Sequence, residues 1–190
     1  NMAKQDYIFA DNEYRVTSLL KGIRETILER RHKDEIEQDV SDMIWLLFGT
    51  AVHSIIEHHK EGDYEFKEER IKVCIGDYIL SGQFDLYNAE TKTITDYKTC
   101  SVWKVIFGDY SDWRKQTLIY AYMISRFGFD VENAEIVALM KDHSKRDAKI
   151  KDNYPPLPVQ KITFHFTAED FIEIEEWLKS RFAEIAEAEK

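Results

Sequence analysis

A chain of 190 residues that is 44% hydrophobic and 13% aromatic can bury a substantial core, and residues 2–190 read as one domain. Its formal net charge of −10 sets it apart from a generic nucleic-acid binder, which is basic on balance, but leaves room for an enzyme whose acidic site holds divalent cations. The two cysteines, Cys74 and Cys100, lack C-x-x-C spacing and so argue against a zinc knuckle or a disulfide framework.

No apolar run approaches the ~20 residues of a membrane span and no charged-then-apolar leader opens the chain, so a cytoplasmic protein without a membrane partner is expected. Asn1, ahead of Met2, reads as a residue left by cloning. Residues 2–16 carry no clear pattern. From Thr17, a capping residue, Leu20, Ile23 and Ile27 fall at helical spacing. The charged stretch Glu29 to Glu37 reads as a solvated face, with a small basic contact at Arg30, Arg31 and Lys33 as the functional alternative.

A second helix is expected from Ser41 to about Lys60, ahead of Gly62. Trp45, Gly49, Val52, His53 and Ile56 share one inward stripe on it. Gly49 costs helix propensity of about 1 kcal/mol against Ala, which predicts a close approach by something else. Glu57 lies one turn after His53 on the same side. Three strand-like segments follow, Tyr64 to Ile75, Tyr78 to Tyr87 and Thr93 to Thr99, joined by Gly76-Asp77 and by the polar turn Asn88 to Lys92. Those turns predict an antiparallel meander.

A further helix is expected from about Asp112 to Phe127, stopped by Gly128, with Gln116 and Tyr120 projecting from one face. Glu135 to Met140 reads as a buried strand. Lys141 to Pro158 reads as a mobile or extended polar loop bearing Lys145, Arg146 and Lys149, and Val159 to Phe166 as another strand. Thr167 and Asp170 form a capping box for a last helix with the apolar stripe Phe171, Ile174, Leu178 and Ile185.

The chemistry centres on Gly82 to Thr99. Strand alternation points Asp96 and Lys98 the same way and Tyr97 the other, while Asp85 is expected on the facing strand of the hairpin. Acid-x-Lys alone means little: about three such triplets are expected by chance, and the chain has four, at Glu65, Glu90, Asp96 and Asp147. The one at Asp96 is set apart by its strand setting and by a second aspartate across the hairpin. Two carboxylates suit Mg²⁺ or Mn²⁺, with a histidine tilting the preference toward Mn²⁺, and such ions serve phosphodiester hydrolysis. A lysine beside them can orient water or stabilise charge on the phosphate. Taken singly, His53 reads as a core histidine, Asp85 as a turn closer, and Gln116 and Tyr120 as packing or capping residues; jointly they favour a metal site. Glu57 and the pair His58-His59 do not make H-E-x-x-H, which disfavours a zinc protease.

The segments GTAVHSIIE (Gly49 to Glu57), GQFD (Gly82 to Asp85), DYK (Asp96 to Lys98) and QTLIY (Gln116 to Tyr120) together resemble the RecB-type branch of the PD-(D/E)XK nucleases, close to phage-type exonucleases. Each motif is weak alone, but four in order are specific. The resemblance implies an α/β fold with a central mixed sheet of about five strands flanked by helices. It implies metal ligation by His53, Asp85, Asp96 and the Tyr97 carbonyl, catalysis by Asp85, Asp96 and Lys98, Glu57 supporting His53, and Gln116 and Tyr120 near the DNA strand. Phe84 stands where the wider motif has proline, which is ordinary in this branch. The four cysteines of the iron–sulfur relatives are missing, so no cluster is expected. The activity implied is a Mg²⁺- or Mn²⁺-dependent DNA exonuclease of the phage recombination and repair type, acting on linear ends. The alternatives are an endonuclease of the same fold and a catalytically silent DNA-binding or assembly module. The resemblance also leaves room for a recombinase or single-strand-binding partner and for a homo-oligomer. Lys145, Arg146 and Lys149 are the candidate contact to the DNA backbone.

Overall fold

The computed structural model describes residues 10–36, 39, 47, 49–51 and 62–190. In chain order the elements are β1 (Glu13–Arg15), α1 (Val16–Leu19), α2 (Ile23–Arg31), β2 (Glu65–Lys67), β3 (Arg70–Ile75), β4 (Tyr78–Gln83), β5 (Leu86–Asn88) and β6 (Thr93–Cys100). Then follow α3 (Val102–Phe107), α4 (Ser111–Ser125), β7 (Asn133–Met140), α5 (Asp147–Ile150), β8 (Val159–His165) and α6 (Ala168–Ala188). Among the described residues no helix is long and apolar enough to cross a membrane.

The strands form two sheets, β1-β4-β3 and the mixed five-stranded β2-β5-β6-β7-β8, the latter with its one parallel pairing at β6–β7. The five-stranded mixed sheet flanked by helices is the architecture expected from the sequence. The three segments pair antiparallel in succession, as expected, but the first hairpin is bent and divides between the two sheets. The segments Tyr64 to Ile75 and Tyr78 to Tyr87 form one bent hairpin whose tip, β3–β4, joins β1 and whose base, β2–β5, joins the larger sheet. Its register carries through the bend: Arg70 faces Gln83, Glu65 faces Asn88, and between them Glu68 N donates to Asp85 O at 3.0 Å and Phe84 N to Glu69 O at 3.3 Å. The bend falls at Glu68, whose φ is +50°. Period-two patterning persists across such a bend, so the break cannot be read from alternation.

At the N-terminal side the expected continuous helix from Thr17 is split into α1 and α2 by a turn at 20–22, and Thr17 caps neither. Gly22, at the N-cap of α2, has no side chain to bond, and Thr26 Oγ1 instead donates to the Ser18 and Gly22 carbonyls at 2.8 and 3.1 Å. Residues 13–15, without a pattern in the sequence, pair in parallel with β4 and bury Glu13 beside Lys72 at 3.0 Å. Residues 31–36 are exposed, as expected of a solvated face, whereas Arg30 is held: it bonds the carbonyls of Glu13 and Asp11 and stacks over Tyr14 at 4.5 Å.

Residues 47 and 49–51 are helical, as expected; the rest of the predicted second helix, with His53 and Glu57, lies outside the described residues. Among the described residues a Cβ on Gly49 would meet Thr99 Oγ1 at 3.8 Å, an ordinary contact, so none of them makes the close approach expected there. The tight glycine is Gly82, where a Cβ would stand 2.5 Å from Tyr120 Cε1 and 2.9 Å from Val16 Cγ2.

One core joins α4 and α6 to β4, β6 and β7 through Leu80, Ile94, Ile119, Met123, Ala134, Leu178 and Ile185. A second, at the carboxyl ends of β6 and β7, gathers Cys100, Trp113, Ile136, Ala138, Met140 and Tyr154. On α6 the expected capping box is present, with Thr167 N donating to Asp170 Oδ2 at 2.8 Å and Asp170 N to Thr167 Oγ1 at 3.3 Å. The segment after Met140 is not wholly extended: it holds α5 and buries Tyr154, whose hydroxyl accepts from Ser144 N at 2.8 Å.

Candidate active site

The central strand β6 carries Asp96 and Lys98 on the face against which α4 packs. Their register partners on β7, Ile136 and Ala138, belong to the core that includes Trp113 of α4. Asp96 is buried at 4% exposure, and Lys98 Nζ lies 3.2 Å from Oδ1 and 2.9 Å from Oδ2. The hydrogen bond goes to Oδ1. Oδ2 is buried and, although beside the ammonium, accepts no hydrogen bond. An ion pair out of line for hydrogen bonding leaves lone pairs unspent, a costly state in the interior unless something else takes them.

Asp85 is not on a strand. It sits at the hairpin bend, one residue before β5 begins, half-buried. Strand pairing between β5 and β6 stops at Leu86–Thr95, and the Tyr97 N–H beyond it donates to Asp85 Oδ2 at 2.7 Å. A side-chain carboxylate has replaced the next rung of the ladder. The bend thereby delivers the second aspartate to the Asp96–Tyr97 peptide, as the sequence reading required, by a different route.

From α4, Tyr120 leans over Gly82 toward both aspartates. Burial is the main cause that pushes its hydroxyl well above the ordinary phenol range; Asp96 and Asp85 push the same way, while a hydrogen bond from Gln116 and the charge of Arg70 oppose them. Tyr120 therefore keeps its proton as a donor. The structure brings Asp85, Asp96, Lys98, Gln116 and Tyr120 together. Tyr97 points to the opposite face, where burial, then Asp85, Glu65 and Glu135, raise its hydroxyl.

Five residues not foreseen as site residues line a cavity of about 180 Å³ against Gly82 and Tyr120: Arg15, Val16, Thr17, Arg70 and Gln83. Arg70 donates to Gln83 Oε1 at 3.0 Å. Nothing local marks Arg15 or Arg70, because only the joining of β1 to β4 brings Arg15 beside the bent hairpin. Lys145, Arg146 and Lys149 are exposed on the segment that leaves β7, and among the described residues their side chains make no ion pair.

Two carboxylates at one peptide, one with an oxygen lacking a hydrogen bond, fit a hard divalent cation. Among the described residues no three His, Cys, Asp or Glu side chains group closely enough to hold an ion unaided. The expected third side chain, His53, lies outside those residues.

The architecture is a fold shared with solved structures that include alkaline and phage-related exonucleases. Similar solved structures include the alkaline exonuclease LHK-Exo of Laribacter hongkongensis, at 13% identity and TM-score 0.57 over 94% of this chain and 89% of that one. The crystal structure of SSO0001 is similar at 16% identity and TM-score 0.61, over 90% of this chain and 76% of that one. A phage-related exonuclease of Haemophilus somnus 129PT is similar at 13% identity and TM-score 0.50, over 94% and 96% of the two chains. No family model and no curated relative matches the sequence.

Proposed function

We propose that this chain is a divalent-metal-dependent deoxyribonuclease, in a single domain over residues 2–190, that degrades linear DNA from its ends. The observation that carries the reading is the buried Asp96 oxygen without a hydrogen bond, flanked by Lys98 and by Asp85 on the neighbouring peptide. Similarity to alkaline and phage-related exonucleases, one of them LHK-Exo solved in complex with dAMP, supports it at the level of fold.

Asp85, Asp96, the Tyr97 carbonyl and His53, with Glu57 behind it, would hold Mg²⁺ or Mn²⁺. When bound, such an ion lowers the pKa of its water and polarises the phosphoryl oxygen. The chain's own groups do the rest. Lys98, 24% exposed while its partner Asp96 is 5% exposed, presents its ammonium where a water or a phosphate oxygen would sit, and can orient the first or neutralise charge growing on the second. Tyr120 and Gln116 offer hydrogen-bond donors to the strand backbone. Arg15 and Arg70, at the adjoining cavity, suit a phosphate of that strand.

Linear and covalently closed circular DNA, incubated with Mn²⁺ and then Mg²⁺, test the proposal. The expected outcome is loss of the linear form alone and no digestion in EDTA. Cutting of circles would make the chain an endonuclease, and a Lys98→Ala or Asp96→Ala protein digesting as fast as the parent would make the site a relic in a binding module.

A further inference from the structure

The strand that carries Asp96 and Lys98 runs directly into α3, and α3 exposes two large aromatic rings. Trp103 is 55% and Phe107 76% exposed, and they stack on each other with centroids 5.9 Å apart at 27°. They are i and i+4 on the helix, so they share its outer side, while Val102 is buried and Val105 and Ile106 pack against the core.

The helix is held firmly in that pose. Ser101 caps it and donates Oγ–H to Asp142 Oδ2 at 2.6 Å, while Val102 N donates to Asp142 Oδ1, also at 2.6 Å. Gly108, at φ +68°, closes the other end with its N–H on Lys104 O. Asp142 comes from the segment after β7, and the preceding Lys141 N donates to Cys100 O at 3.0 Å. The aromatic pair and the segment bearing Lys145, Arg146 and Lys149 thus leave the same end of the β6–β7 pair, tied to each other. Asp142 is committed to α3 and Asp147 to Lys151 at 2.9 Å, so the exposed charges left on that segment are Lys145, Arg146 and Lys149 against Asp152, a balance that is still basic.

Aromatic faces beside unpaired cations, at the end of a strand bearing a phosphodiester site, are the two halves of a single-strand binding surface: bases stack, phosphates meet lysine and arginine. A duplex keeps its base faces inside except at its two ends, and so offers the rings far less than a single strand does. We propose that Trp103 and Phe107 stack the bases of a single DNA strand whose phosphates run along Lys145, Arg146 and Lys149, so that the strand at the active site is unpaired. This rests on the nuclease reading and adds the form of its substrate. Trp103 is five residues past Lys98, no farther than about 18 Å even if fully extended.

The test is binding of a short fluorescent oligodeoxythymidine in EDTA, where no cleavage intrudes, by the parent and by W103A/F107A. Stacking predicts at least about tenfold weaker binding by the double variant, an unchanged salt slope, and recovery in Trp103→Phe with Phe107 retained. Lys145→Glu/Arg146→Glu/Lys149→Glu should weaken binding and flatten the salt slope. Affinity for a blunt duplex should move less than affinity for the single strand in W103A/F107A. Unchanged single-strand affinity overturns the proposal, as does a loss shared equally with the duplex. A change in sedimentation of W103A/F107A with unchanged affinity overturns it too, and assigns the rings to a contact between copies. Because Lys98→Ala is scored by digestion and this surface by binding without metal, either reading can fail alone.

Discussion

Two acid-x-Lys triplets of this chain lie on strands of the same sheet, and only one of them has the surroundings of a candidate site. Glu65-Phe66-Lys67 occupies β2, at the sheet edge; Asp96-Tyr97-Lys98 occupies β6, at its centre. Registers through β5 place Lys67 opposite Leu86 and Leu86 opposite Thr95, so the first triplet's charges face the side of the sheet away from Asp96 and Lys98. Its ion pair is loose, 3.8 Å, and Glu65 is already used by Gly62 N at 3.0 Å. On β6 the pair closes to 2.9 Å, at a buried carboxylate oxygen that accepts no hydrogen bond, and Asp85 arrives at the next peptide. The same residue pattern gains chemistry from where the sheet puts it and from what the hairpin bend brings across.

That contrast can be broken in several places. The largest effect is expected for Lys98→Ala, whose turnover on linear DNA should fall by about a hundred- to a thousandfold, with circular dichroism reporting an intact fold. Next comes Gly82→Ala. Its new methyl would stand 2.5 Å from the Tyr120 ring, so the ring must move away from the aspartates. Overpacking of this kind costs about 1–3 kcal/mol, readable by urea denaturation, and activity should fall with it. The matching change on the edge strand, Lys67→Ala, should leave digestion by the folded protein within about twofold of the parent. A loss as deep as that of Lys98→Ala would end the distinction between the two triplets.

The smallest effect is expected at Ser81. Its Oγ and Asp96 Oδ2 are the buried side-chain polar atoms without a hydrogen bond among the described residues. If the unsatisfied oxygen at the site is kept for a cation while Ser81 is a packing accident of the smaller sheet, Ser81→Ala should be neutral or up to about 1 kcal/mol stabilising, with unchanged metal-dependent activity.

Much of the site was legible because strand alternation is a local rule. Asp96 and Lys98 share a face wherever that strand lies, and Gln116 and Tyr120 share one on any helix. The capping box at Thr167 and Asp170 and the stop at Gly128 were likewise legible, since caps and glycine stops act within one turn. The bend at Glu68 and Asp85 was not, because alternating hydrophobicity is the same for a straight strand and a bent one. Gly49 looked like the close approach on propensity grounds, whereas the packing put it at Gly82, where a distant tyrosine ring crosses the backbone.

By itself, then, the sequence determined which residues could act: a strand with an acid and a lysine on one side, an upstream aspartate, and a helix presenting glutamine and tyrosine. Tertiary structure decided which of two similar strands stands at the sheet centre and how Asp85 reaches the Tyr97 amide. It also brought Arg15 from an unpatterned stretch to the edge of the cavity and set Trp103 and Phe107 outward beyond β6. The physical reason is range. Alternation and capping act over a few residues, whereas strand order, burial and the meeting of charges from distant segments are fixed only when the sheets and helices close on one another.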